Sequence, residues 1–144
     1  MENEYRTHNC GELRISDVNK EVILAWFVQT IRNFGKMIFI DLRDQNGITQ
    51  IVLSEDIDKK DITKECTITV TGKVVERSSK NDKIPTGEIE IVAKDVTVLG
   101  KCRNALPFEI NVEDQNVRED LRLEYRFLDL RNEKIHKNII LRSK

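Results

Sequence analysis

The sequence predicts a mostly β fold, a five-stranded Greek-key barrel, followed by an irregular hinge and the start of a helix. Three observations carry this prediction. Five runs rich in Ile, Val, Thr and Phe, the residue types that suit a pleated surface, fall between Glu21 and Leu99. Compact turn segments join the first three runs. A charged connector separates the third run from the last two. Three meander strands, a short helical connector and two more strands make the order of an OB-fold, an order also compatible with another small barrel or an open sheet.

The first run, Val22–Ile31, ends at RNFGK, Arg32–Lys36, where Gly35 is free to take a positive φ. The second, Met37–Arg43, passes through DQNG, Asp44–Gly47, to the third, Ile48–Leu53; Asn46-Gly47 is a strong turn dipeptide. The connector SEDIDKKDITKE, Ser54–Glu65, has few apolar residues and room for one or two helical turns behind a Ser54 cap. The last two runs, Cys66–Val75 and Ile89–Val98, flank the polar loop ERSSKNDKIPTG, Glu76–Gly87. Beyond Leu99 the texture changes. Gly100–Asp120 reads as a connector with Pro107 and many polar residues, and EDLRLEYRFLDLR, Glu119–Arg131, is charged and aromatic. Asn132–Lys144 begins a helical pattern with Ile135 and Ile139 on one face. The apolar cluster Ile135, Ile139, Ile140 and Leu141 has no partner segment left, so the chain reads as cut short. Docking of that helix on its own barrel is the other reading.

Composition narrows the function. With 144 residues, 39% hydrophobic and 34% charged, the chain has apolar material for one main core. Its 24 basic and 25 acidic residues give a net charge of −1, whereas an indiscriminate binder of nucleic-acid backbone is strongly basic. Contact with nucleic acid must therefore come from a few side chains on one surface. No apolar run approaches a membrane span, and the polar start lacks the layout of a secretory signal. Cys10, Cys66 and Cys102, odd in number and far apart, fit a reducing cytoplasm better than a disulfide framework. His8 and Cys10 have no second pair at zinc-site spacing, so no metal is expected. No phosphate loop, nucleophile elbow or paired histidine is present, and no catalytic residue is proposed.

Strand alternation sorts core from surface. In Met37–Arg43, Ile38, Ile40 and Leu42 share one face, which puts Phe39 on the other with Asp41 and Arg43. An outward aromatic on a barrel strand is a platform for stacking a base. A ring lying under the connector or the terminal helix satisfies the same alternation, and alternation alone does not choose. Gln50 offers the donor and acceptor that reading an unpaired base edge requires; taken singly, it fits a plain solvent-facing amide better. Arg32, ending the first run, presents a planar fork suited to a base or a phosphate, although a lone surface Arg usually contributes nothing measurable. In GEIEIV, Ile89 and Ile91 read as core, so Glu90 points outward, where a carboxylate can accept from a base but repels phosphate. Arg77, Lys80, Asn81 and Lys83 give the preceding loop a basic character, which by itself reads best as a solvated hairpin loop.

Several blocks stand in register with a known family. RTHNCGELR (Arg6–Arg14), IRNFGKMIFIDLRDQNGITQIV (Ile31–Val52), VTGKVVERSSKN (Val70–Asn81), PTGEIEI (Pro85–Ile91), LPFEI (Leu106–Ile110) and LRLEYRFLDLR (Leu121–Arg131) together resemble bacterial-type aspartyl-tRNA synthetases over nearly the whole chain. The resemblance implies an OB-fold anticodon-binding domain at 1–104, a hinge at 105–131 and the truncated start of a class II catalytic domain at 132–144. It implies that Phe39 stacks on the central anticodon base and Gln50 reads that base's edge. Arg32 and Glu90 would contact the flanking anticodon bases, with Arg77 and Asn81 in the loop that approaches the anticodon stem and loop. For the full-length enzyme it implies a cytoplasmic homodimer that uses ATP and Mg²⁺ to attach aspartate to tRNA; the chain alone is expected to be inactive and to hold no cofactor. Departures are visible. Trp26-Phe27-Val28 stands where the family usually has Gly-Trp-Val, Thr30-Ile31 replaces a frequent basic pair, and Asn132 follows YRFLDLR in place of another Arg. Two other readings are a free-standing OB-fold that binds single-stranded nucleic acid, and a barrel used only for protein contacts.

Overall fold

The computed structural model describes residues 5–103, 105–110 and 116–144. The chain forms two compact units, Met1–Cys102 and Arg103–Lys144. In the first, strands β1 (Glu21–Phe34), β2 (Met37–Arg43), β3 (Ile48–Leu53), β4 (Thr67–Glu76) and β5 (Ile89–Gly100) close a barrel in the order β1-β2-β3-β5-β4. β3 and β5 pair in parallel and the other neighbours antiparallel. Closure depends on the length of β1. Its first half pairs with β4 and its second with β2, with a register shift between Val28 and Thr30. Such a bulge bends a strand so that one chain can serve both sides of a barrel.

Alternation fills the interior. Ile40 and Leu42 from β2, Ile51 and Leu53 from β3, and Ile89 and Ile91 from β5 are fully buried, with Val70 and Val74 of β4 facing them. Removing these side chains from water is the main favourable term for the unit. At Gly72 a Cβ would lie 2.5 Å from the Val92 carbonyl oxygen, so β4 and β5 approach there only without a side chain.

The structure corrects three expectations. The first turn is tighter than RNFGK: Phe34 pairs with Met37, and only Gly35 and Lys36 remain as the loop, Gly35 at φ 73°. The connector Ser54–Glu65 forms turns and no helix. Its apolar residues Ile57 and Ile62 are five apart, a spacing that no helix face shares, and both pack against the barrel core. Asp58 accepts from the Lys60 amide through its side chain, the local bond by which Asp competes with a helix. Asp61 and Glu65 take positive φ. Glu65 then accepts from the buried Arg43 guanidinium at 3.1 and 3.3 Å, tying the connector to the end of β2. The third correction falls in the segment read as an irregular hinge, which contains two short helices, α1 (Glu119–Glu124) and α2 (Arg126–Asp129).

In the second unit Phe108, Ile110 and Leu128 form a small core. Asp129 is fully buried; its carboxylate accepts from Arg122 Nε at 2.8 Å and from Arg126. The helix α3 (Glu133–Ser143) starts at Asn132, whose Oδ1 accepts from the amides of Lys134 and Ile135 at 3.0 and 3.3 Å. Its Nδ2 donates to the Ile110 carbonyl at 2.7 Å. Asn132 thus caps one helix and anchors it to its unit's core. Asn132→Ala is expected to weaken this unit by about 1–2 kcal/mol, seen as a lower melting temperature of the helical circular-dichroism signal.

Candidate nucleic-acid interface

The registers of four strands place two rows of side chains side by side on the barrel's outer surface. In one, Arg32 of β1 stands opposite Phe39 of β2, Phe39 opposite Val52 of β3, and Val52 beside Val92 of β5. In the other, Thr30 stands opposite Asp41, Asp41 opposite Gln50, and Glu90 lies beside Gln50. The first row is largely apolar and the second polar. Directly opposite residues in a sheet share a face, so both rows point away from the core.

A hydrogen-bonded chain runs through the second row. Arg32 Nη2 donates to Asp41 Oδ1 at 2.7 Å and to Gln50 Oε1 at 3.1 Å, and Gln50 Nε2 donates to Glu90 Oε2 at 2.7 Å. Gln50 is only 5% exposed. The expected amide reader is therefore a nearly buried group, with one N–H and one lone pair left after these bonds. Among the described residues Arg32 bonds only through Nη2, which leaves its Nε and Nη1 hydrogens for another acceptor. Burial pushes the Asp41 carboxyl above its usual range, and the nearby Arg32 and Arg77 guanidinium groups oppose that rise. Two cations, Arg32 and Arg77, thus stand against two anions, Asp41 and Glu90. A surface so balanced has little pull on phosphates and suits the polar edges of bases.

Phe39 is half-buried. Phe34 meets it edge to face, with ring centroids 5.6 Å apart and planes at 84°. Phe34 is 70% exposed and Met37, its partner in the hairpin, 52%. The tip of the β1–β2 hairpin therefore extends the apolar row with two large side chains. A flat ligand with a π face and a polar edge fits this arrangement, its face on Phe39 and its edge toward Gln50 and Glu90.

Of the six residues singled out from sequence, Arg32, Gln50 and Glu90 are joined by hydrogen bonds, and Phe39 adjoins them across from Arg32. Arg77 comes near enough to act on Asp41. Asn81 lies in the β4–β5 loop. Its Oδ1 accepts from the Lys83 amide and its backbone bonds to Gly87 and Ile84, so it shapes the β4–β5 loop. A Cβ at Gly87 would meet the Asn81 carbonyl oxygen at 1.7 Å, which explains the glycine there. Two residues of the surface escaped the sequence reading. The sequence places Phe34 inside the longer turn RNFGK, and Asp41, although on the outer face by alternation, has a role that depends on Arg32 from another strand. Trp26 lies on the surface at 40% exposure. The Arg6 guanidinium sits 5.6 Å from its ring centroid, and Phe27 packs edge-on.

Residues 22–99 match the family model described as an OB-fold nucleic acid binding domain. An aspartate–tRNA ligase of Streptomyces avermitilis is 50% identical over 147 aligned residues, covering 96% of this chain. An aspartate–tRNA(Asp/Asn) ligase of Rickettsia felis is 49% identical over 97% of it. The chain spans 24% of the length of each of these relatives. Among solved structures, an aspartyl-tRNA synthetase of Entamoeba histolytica superposes with a TM-score of 0.79 at 22% identity, covering 93% of this chain and 34% of that one, a likeness of fold.

Proposed function

The chain belongs to the family of OB-fold nucleic acid binding domains and is homologous along nearly its whole length to aspartate–tRNA ligases, and from this we propose that it reads the anticodon of tRNA for such a ligase. The observation that carries the proposal is the pairing of an apolar row with a hydrogen-bonded polar row on one outer face. Phe39 supplies the flat surface for the central anticodon base. Gln50 meets the edge of that base. Arg32 and Glu90 meet the flanking bases, and Arg77 lies in the loop that approaches the anticodon stem and loop. Phe34 forms a side wall against Phe39 and limits where a stacked base can lie. Asn81 contributes by holding the shape of the loop. Bases splayed from a loop offer the faces and edges that such a surface needs.

In the full-length ligase, ATP and Mg²⁺ serve aspartate activation, and we assign no residue of this chain to either. The complete enzyme then works as a cytoplasmic homodimer, with 105–131 as hinge and 132–144 as the start of its class II catalytic domain. The aspartate stem-loop titrated against the same RNA with a changed central base tests the reading. Losing the bonds to a base edge costs about 1–3 kcal/mol, so the altered RNA is expected to bind roughly 5- to 150-fold more weakly. Equal affinity for the two would refute base reading. Equal affinity for an unrelated oligonucleotide would favour a general single-strand binder.

A further inference from the structure

We propose that Asp41 is a positioning residue that fixes the donor and acceptor pattern the barrel face presents to a nucleobase, through its grip on Arg32. The inference rests on the anticodon-reading function and concerns how its specificity is set.

Arg32 and Asp41 lie on adjacent strands, their side chains 42% and 21% exposed, with Nη2 and Oδ1 2.7 Å apart. The same Nη2 reaches Gln50 Oε1 at 3.1 Å. Asp41 therefore holds the guanidinium at the point from which it meets the amide. A primary amide has two ends of nearly equal size, and its orientation is set by what each end bonds. Here Arg32, a pure donor, takes the oxygen, and Glu90, a pure acceptor, takes the nitrogen. Held so, Gln50 offers a base one defined lone pair and one defined N–H. Without Asp41 the long Arg32 side chain would sample many rotamers and the order would be lost when a base arrives.

The placement of an acid here also needs a reason. A carboxylate beside RNA repels phosphate, and partial burial already makes its charge unfavourable. A carboxylate that only contributed charge would weaken binding. One that organises Arg32 and Gln50 offsets that cost through discrimination between bases.

The two roles predict opposite signs for Asp41→Asn, a replacement of equal size, made in the 144-residue chain. If Asp41 positions Arg32, affinity for the aspartate stem-loop falls about tenfold, and the ratio between that stem-loop and one with a changed central base shrinks by a similar factor. Adding Asp41→Asn to Arg32→Ala then costs little more than Arg32→Ala alone. If Asp41 acts only as a surface charge, removing it tightens binding to both RNAs and leaves their ratio intact, which would overturn the proposal. Acid titration gives a second readout. Among the described residues Arg32 from β1 and Arg77 after β4 are the charged groups that act on Asp41, and Glu90 from β5 is linked to the same network through Gln50. Protonating a carboxyl whose titration is raised releases Arg32, so base discrimination is expected to fall on acidification at a pH above the usual Asp range, a step absent in Asp41→Asn. Side-chain NMR of the free protein separates the two levels of failure. Restricted rotation of the Arg32 guanidinium, lost in Asp41→Asn, supports positioning even if the wild-type chain fails to discriminate bases and the function itself is wrong. A guanidinium equally mobile in both proteins refutes it.

Discussion

Replacing Phe39 with alanine is expected to lower affinity for the aspartate stem-loop by about 1–3 kcal/mol, roughly 5- to 150-fold, while the barrel stays folded. The ring belongs to the outer row, across from Arg32 and Val52, and is partly exposed. Its loss removes the surface on which a base lies flat but leaves the interior intact. Thermal melting followed by circular dichroism separates binding from folding. A small drop in stability is expected, because Phe34 loses the ring it packs against. Unchanged affinity would show that the base does not stack on Phe39.

The neighbouring residue is expected to behave in the opposite way. Ile40 is fully buried in the barrel core and points inward from the same strand. Ile40→Ala removes a branched side chain from a close-packed interior and leaves a cavity, which costs about 2–5 kcal/mol. Urea denaturation should show the midpoint falling with little change in slope. The fraction that remains folded is expected to bind RNA as the parent chain does. The pair of adjacent substitutions therefore separates stability from recognition along a single strand. Similar effects of the two on both properties would mean that β2 does not divide core from surface as described.

Much of this was legible in the sequence because it depends on local periodicity. The alternation in MIFIDLR and in GEIEIV is enough to send Ile40, Leu42, Ile89 and Ile91 inward and Phe39 and Glu90 outward. The turn at Asn46-Gly47 is equally local: both amides bond to the Asp44 side chain. What was missed depends on partners far apart in the chain. Gln50 is nearly buried, with its amide held at one end by Arg32 and at the other by Glu90, eighteen and forty residues away. Asp41 acquires a role only from the Arg32 fork. The connector misled because its charges and Ser54 suit a helix start, while the five-residue spacing of Ile57 and Ile62 decides for turns. Phe34 is hidden in a sequence turn that starts three residues too early, at Arg32 rather than Gly35, since the last cross-strand pairs of the hairpin have no apolar alternation to mark them.

The Phe39 ring can be watched directly as RNA is added. In NMR spectra of the chain titrated with the aspartate stem-loop, a base stacked on the ring should shield the Phe39 ring protons and bring them within nuclear Overhauser range of the central anticodon base. Amide shifts should concentrate around Arg32, Asp41, Gln50 and Glu90. Phe39 resonances that stay in place while the perturbations gather elsewhere, for example around Trp26, would contradict the account.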